Sequence, residues 1–213
     1  MSNFKKKFIG IFGGTFDPVH KGHTGIIKNL FELIPLDEVI VIPNGIPPHR
    51  QASVSSEERL RMVSSAFKGL DNVVIDNREI KKKDPSYAIS TLRELIEENR
   101  EHSLVWIMGS DAFAEIDNWY QWEDFIKLVN IIVMIRPDHE IPQESAAYKL
   151  IEKNHTIDKD SLRSGIEKIL LLRIRPIEIS STDIRKKISK GSDVSEFLLE
   201  EVNKLINKRN LYK

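Results

Sequence analysis

Two histidines three positions apart, His20 and His23, end the segment GGTFDPVHKGH that begins at Gly13. On a helical first turn that spacing puts both imidazoles on one face. Ahead of them, Gly13 and Gly14, followed by Thr15 and Phe16, let a backbone approach a ligand closely and adopt positive φ. A helix starting near Lys21 turns its free N–H groups and positive dipole end toward the same space. Loop, helix terminus and imidazoles together make an anion site suited to phosphate. In it His20 and His23 donate to phosphoryl oxygens and Lys21 adds charge. The same pair also fits a metal site with Asp17 as third ligand, although two imidazoles alone seldom hold zinc. Neither the Gly-Lys-Ser/Thr ending of a P-loop nor a GxGxxG fingerprint occurs here.

A second segment, ISSTDIR from Ile179 to Arg185, has similar potential. Ser180, Ser181 or Thr182 caps the helical pattern that follows. Arg185 then falls in the first turn, where the dipole disfavours a cation and an anionic ligand would resolve the conflict. Its planar fork suits phosphate oxygens. Alone, the segment reads equally well as a capped helix with a solvated arginine. Beside the first motif it reads as the other half of a phosphate site.

The elements that must carry these segments alternate. Phe8–Phe12, Val39–Ile42, Asn72–Ile75, Leu104–Met108, Ile131–Ile135 and Ile169–Ile174 are short apolar runs that read as strands. Lys21–Ile34, Ser56–Phe67 and Ile89–Asn99 have helical spacing, as do Thr182–Ile188 and Val194–Ile206 near the C-terminus. This order predicts an α/β fold: a Rossmann-like, doubly wound, mostly parallel sheet with C-terminal helices. Ligands in such folds sit beyond the carboxyl ends of the strands, which places chemistry just after Phe12, Ile42, Met108 and Ile135. The stretch 138–168 reads as a surface excursion with one helix around Glu144–Glu152.

Composition narrows the partners. Among 213 residues, Lys plus Arg and Asp plus Glu number 32 each, so no global field draws the chain to nucleic acid or to a membrane. With no cysteine there is neither a disulfide nor a thiolate ligand or nucleophile. The basic start MSNFKKKF leads into an apolar run too short for a signal peptide, and no window approaches a membrane span. The expectation is a soluble, cytoplasmic protein, with homo-oligomerisation left open.

The first segment resembles the GxFxPxHxGH signature of the nucleotidyltransferase superfamily, matching at Gly14, Phe16, Pro18, His20, Gly22 and His23. ISSTxIR resembles the second signature of its adenylyltransferase branch. Further likeness points to the bacterial-type nicotinate mononucleotide adenylyltransferases: Pro47-Pro48-His49-Arg50, Ser86-Tyr87 with Thr91-Leu92, Gly109-Ser110-Asp111 with Trp119 and Tyr120, Arg136-Pro137, and the ending with Val202, Ile206, Leu211 and Tyr212. Ala88, Ser90 and Leu205 depart from that pattern, where Thr, Asp and Tyr are usual, and Asp138 replaces a glycine.

The resemblance implies transfer of the adenylyl group of ATP to nicotinate mononucleotide, with Mg²⁺ arriving bound to ATP. It implies His20, His23 and Arg185 as catalytic residues. ATP would meet Gly13, Gly14, Thr15, Phe16, Gly109, Asp111, Ser181 and Thr182. The acceptor would meet His49, Arg50, Tyr87, Ala88, Trp119, Tyr120 and Arg136. Trp119 would stack on the pyridine ring, and Trp122 is the candidate core tryptophan of that cluster. Asp111 reads equally as a ribose ligand or as the N-cap of a short helix. One domain over 1–213 is expected, with 182–213 as a helical appendage. The competing readings are another adenylyltransferase, such as one acting on phosphopantetheine, a cytidylyltransferase, or a nonenzymatic nucleotide sensor.

Overall fold

Residues of alternating direction along each apolar run bury both faces of one sheet. The chain is described here by a computed structural model covering residues 6–135, 141–173 and 180–213. Among these, the strands are β1 (Phe8–Gly14), β2 (Glu38–Pro43), β3 (Val73–Ile75), β4 (Ser103–Gly109), β5 (Asn130–Ile135), β6 (His155–Thr156) and β7 (Ile169–Arg173). The helices are α1 (Lys21–Leu33), α2 (Ser56–Ala66), α3 (Ala88–Glu98), α4 (Ser110–Ala114), α5 (Trp122–Leu128), α6 (Ala146–Asn154), α7 (Ser161–Ser164), α8 (Ser181–Ser189) and α9 (Glu200–Lys208). The sheet order is β3-β2-β1-β4-β5-β7-β6, and every strand pair is parallel. It is the expected Rossmann-like α/β fold.

Period two decides which face each side chain joins. Val39 and Val41, Val105 and Ile107, and Ile132 and Met134 pack on one side with α1, α2, α8 and α9. Ile40 and Ile42, Trp106 and Met108, and Ile131 and Val133 pack on the other with α3, α5 and α6. With both faces covered, the strands are near-continuous apolar runs, as parallel sheets require. The C-terminal helices share the first core through Ile184, Ile188, Val202 and Ile206.

Four local expectations change. Ser180 is the N-cap of α8, accepting the Asp183 N–H at 3.1 Å. Arg185 therefore lies in the second turn, and the dipole conflict inferred for it does not arise. Ser55, not Ser56, caps α2. The helix expected from Val194 begins only at Glu200, because the carbonyls just before it are otherwise engaged. Lys21 donates its backbone N–H to Phe197 O at 2.9 Å and its Nζ to the carbonyls of Ser195 and Glu196. Lastly, the stretch after β5 is more than a surface excursion. It supplies α6, the edge strand β6 and α7, and it buries Ala147 and Leu162 completely or nearly so.

Asn130 pins that stretch to the sheet. It is 1% exposed and donates through Nδ2 to the carbonyls of Leu162 at 2.9 Å and Gly165 at 2.6 Å. Its Oδ1 accepts the Lys168 N–H at 2.8 Å. Replacing Asn130 by alanine strands two carbonyls and an amide at once, each uncompensated group costing about 1–3 kcal/mol. Asn130→Ala is expected to lower unfolding stability by roughly 2–4 kcal/mol, read as a reduced urea midpoint at unchanged m-value.

Candidate active site

Strand order reverses between β1 and β4: successive strands run outward from β1 through β2 to β3, and the chain then crosses to β4 and runs the other way. Neighbouring loops part at such a switch point and leave a crevice. A cleft of about 930 Å³ opens there, between the ends of β1 (Phe12 to Phe16) and β4 (Trp106 to Gly109). Asn44 and Pro47 to Arg50 wall it on one side, Asp111 and Asn118 to Tyr120 on another, and Ser181 reaches it from α8.

The Gly13–His23 loop forms the floor. Phe16 sits at φ 51°, a left-handed conformation that costs a bulky residue about 1–2 kcal/mol. Packing holds it there: the ring is 2% exposed and lies edge-on to Phe12 at 5.7 Å and to His23 at 5.0 Å. It also passes over Gly14, where a Cβ would stand 3.1 Å from the ring, so a side chain at 14 would press on the phenyl. His20, 6% exposed, is the N-cap of α1, and its ring lies 3.8 Å from that of His23. His23 Nδ1 accepts the His20 backbone N–H at 3.2 Å. A ring nitrogen that accepts a hydrogen bond carries no proton, so neutral His23 bears its proton on Nε2. His23 lines the cleft. Lys21, expected to add charge, is instead held by the 195–197 carbonyls.

Asp17 joins this floor to remote parts of the chain. Its side chain is nearly buried, and Oδ2 accepts the Ser53 N–H at 2.7 Å while Oδ1 accepts the Tyr212 hydroxyl at 2.8 Å. Arg185 donates Nη1 to the Asp17 carbonyl at 2.6 Å and stands 3.8 Å from the carboxylate. It also meets Thr182 Oγ1 at 3.3 Å, while Ser181 Oγ donates to the Pro18 carbonyl at 2.9 Å. The second motif thus lies directly against the first. Ser181 lines the cleft, whereas Thr182, Arg185 and His20 do not. Asp17 points to Ser53, Tyr212 and Arg185, so it is not the third ligand of a metal site with the histidines. Among the described residues no group of three or more His, Asp or Glu is placed to hold a metal ion.

Arg59 was not foreseen. It lies on α2, 1% exposed, and donates to the carbonyls of Thr15 at 2.8 Å, Asn44 at 2.6 Å and Gly45 at 2.8 Å. One guanidinium fork therefore ties the loop after β1 to the loop after β2. Burial pulls its proton affinity below the usual arginine range, and the nearby Asp17 charge opposes that. A signal for it does exist in the sequence. Arg59 shares the buried stripe of α2 with Met62, Val63 and Ala66, and a cation on an apolar stripe needs a specific partner.

The far wall is built on a second polar network. Glu79, 4% exposed, accepts from Thr91 Oγ1 at 2.7 Å and Asn44 Nδ2 at 2.9 Å. Ser86 Oγ accepts the Gly45 N–H at 2.9 Å. A Cβ on Gly45 would stand 2.1 Å from the Glu79 carbonyl, so only glycine permits this approach. Arg50 reaches back to Thr15 Oγ1 at 2.8 Å, and exposed His49 lines the cleft beside it. Tyr87 and Tyr120 pair with ring centroids 4.6 Å apart, and Trp119 rests on Phe125 at 5.6 Å.

Gly109 is the N-cap of α4, so Asp111 falls in the first turn and is not the cap. The well-buried tryptophan is Trp106, 4% exposed, while Trp122 is only partly buried. Arg136 and Ile179 lie outside the described residues.

Residues 11–187 match the cytidylyltransferase-like family. The chain is 35% identical over 209 residues to a probable nicotinate-nucleotide adenylyltransferase of Pseudomonas paraeruginosa, an alignment covering 97% of this chain and 98% of that one. A protein of the same name from Shewanella baltica is 31% identical over 212 residues, covering 96% and 98%. The structure of Plasmodium falciparum nicotinic acid mononucleotide adenylyltransferase complexed with NaAD superposes with a TM-score of 0.78 at 20% identity, covering 97% of each chain. At that identity the likeness speaks for the fold, while the sequence relatives speak for more. The two histidine and serine motifs thus stand in a chain that belongs to the cytidylyltransferase-like family and, within it, to the nicotinate-nucleotide adenylyltransferases.

Proposed function

We propose that this chain transfers the adenylyl group of ATP to nicotinate mononucleotide, forming nicotinate adenine dinucleotide and releasing pyrophosphate. The observation that carries the proposal is the meeting of both phosphate motifs, Gly13–His23 and Ser180–Arg185, at one edge of the cleft. We read residues 1–213 as one nucleotidyltransferase unit in which segment 182–213 contributes to that edge.

The acceptor phosphate attacks the α-phosphorus in line, and the bond to the bridging oxygen of pyrophosphate breaks. The nucleophile is already an anion, so no general base or covalent enzyme intermediate is needed. Catalysis rests on positioning and on donors aimed at developing charge. ATP enters as its Mg²⁺ complex, and the cation belongs to the substrate. Gly13, Gly14, Thr15 and Phe16 hold the nucleotide against the sheet, with Gly109 and Asp111 at its ribose. His23 Nε2–H, His20, Arg185, Ser181 and Thr182 gather around the phosphates.

The acceptor occupies the side of the cleft walled by His49, Arg50, Tyr87, Ala88, Trp119 and Tyr120, with Arg136 assigned to its phosphate. Trp119 offers a face to the cationic pyridine ring. No side chain caps α3, and Ala88, its first residue, lines the cleft. The opening amides of a helix lack intrahelical partners and favour an anion, so the nicotinate carboxylate is read there by backbone. Alanine in place of threonine at 88 then costs nothing.

Pyrophosphate release from Mg·ATP, with each acceptor offered separately, tests the reading. Nicotinate mononucleotide is expected to exceed nicotinamide mononucleotide in kcat/KM by at least about tenfold, the worth of one charge-assisted pair. Phosphopantetheine is expected to give no release, and fastest turnover with it would refute the acceptor assignment. His20→Ala is expected to lower kcat by about 100-fold or more with little change in acceptor KM. Trp119→Ala should do the reverse, raising acceptor KM roughly tenfold at nearly constant kcat.

A further inference from the structure

The last residues of a chain usually fray unless something ties them down. Here the penultimate residue turns inward. Tyr212 holds φ at 64°, a left-handed conformation that a free end would relax. Its ring packs against the core of the α1–α2 face, and its hydroxyl donates to Asp17 Oδ1 at 2.8 Å. Burial, followed by the Asp17 charge, pushes the phenol far above its usual range, so it stays a donor at any working pH. Asp17 has one further oxygen, taken by the Ser53 N–H, and faces Arg185 at 3.8 Å. The carbonyl of the same residue accepts from Arg185 at 2.6 Å.

We infer that Tyr212 is a positioning residue of the nucleotide site, acting through Asp17 to fix the guanidinium of Arg185. The segment that carries Tyr212 thereby becomes part of the phosphate-site architecture. The chemistry is a relay of fixed contacts. A neutral phenol donates to one carboxylate oxygen and an amide to the other, which leaves the carboxylate a single orientation toward Arg185. The bond from Arg185 to the adjacent carbonyl then sets the tilt of the fork. Without the phenol, Oδ1 loses its donor and the carboxylate can turn about the bond it keeps to Ser53, which loosens its contact with Arg185. Two other contacts keep the terminal helix in place independently of Tyr212. Arg209 pairs with Glu58 on α2, and Val202 and Ile206 of α9 are buried in the core shared with α2. Loss of the hydroxyl alone should therefore leave α9 docked.

The inference rests on the adenylyltransferase reading, and a double-mutant cycle separates the two. Tyr212→Phe, Arg185→Ala and the double variant would be compared in pyrophosphate release and, independently, in Mg·ATP affinity by calorimetry. Tyr212→Phe is expected to lower kcat about tenfold and to weaken Mg·ATP binding several-fold, the scale of one hydrogen bond to a charged group. The KM for nicotinate mononucleotide should move less than twofold. In the Arg185→Ala background the same change is expected to have less than about a twofold effect, because the aimed group is already gone. Equal effects in both backgrounds would overturn the inference. So would a lowered melting temperature with kcat and Mg·ATP affinity unchanged, which would make Tyr212 purely structural. If the unmodified chain turns over none of the acceptors, the functional proposal fails, and the cycle is still decided by Mg·ATP affinity.

Discussion

Asp17 carries a carboxylate into a place where only 5% of the residue is exposed, and a charge so placed must be met by donors from wherever the chain can bring them. The donors that meet it come from the loop before α2, from α8 and from the residue next to the C-terminus. These are distant in sequence, and the carboxylate is where they meet. The first phosphate loop is accordingly a junction. Its backbone is strained at Phe16, and it keeps that strain because packing and Asp17 anchor it on both sides of the bend.

Arg59 complements that junction from below. Three carbonyls receive its guanidinium, two of them from the loop after β2 and one from the loop after β1. A buried cation satisfied by neutral carbonyls needs a counter-charge nearby, and Asp17 supplies it. The two buried charges stabilise one another across the floor of the cleft. Removing either strands the other, which is the costly half of any buried pair. The nucleotide and acceptor sides of the cleft are thereby held at a fixed spacing. That spacing matters for a reaction whose catalysis is mostly the alignment of two bound phosphates.

The fold was legible from the sequence because its signal is repeated. The central strands bury both faces, so each reads as an unbroken apolar run, and alternation with helices leaves few topologies. The phosphate motifs were legible because glycine, proline and histidine at fixed offsets have few other reasons to occur together. The parts that escaped are those where one tertiary contact overrides a local pattern. Val194–Leu199 has helical spacing, yet its carbonyls are taken by Lys21, and α9 starts only at Glu200. The same contact removed Lys21 from the phosphate site. β6 and α7 are two and four residues long, too short for any periodicity. Asn130, which organises that region, looks from sequence like any polar residue at the start of a strand. Tyr212 resembled a family ending, but nothing in its spacing told that its hydroxyl returns to Asp17, 195 residues away.

The balance of charge over the whole chain, 32 positive against 32 negative side chains, makes the local arrangement more telling. In the proposed reaction, a chain without net charge would take its attraction for phosphates from dipoles and from a few oriented cations. The first residues of α3 and α4 stand at the cleft, together with His23 and Arg50. Helix amides carry no full charge to desolvate, and they need no rearrangement as charge develops. A lysine-rich pocket of equal attraction would have to pay desolvation for each cation and order each flexible stem. Fixed backbone donors, with Arg185 and the histidines held by neighbours rather than free to swing, make the low-reorganisation version of the same field.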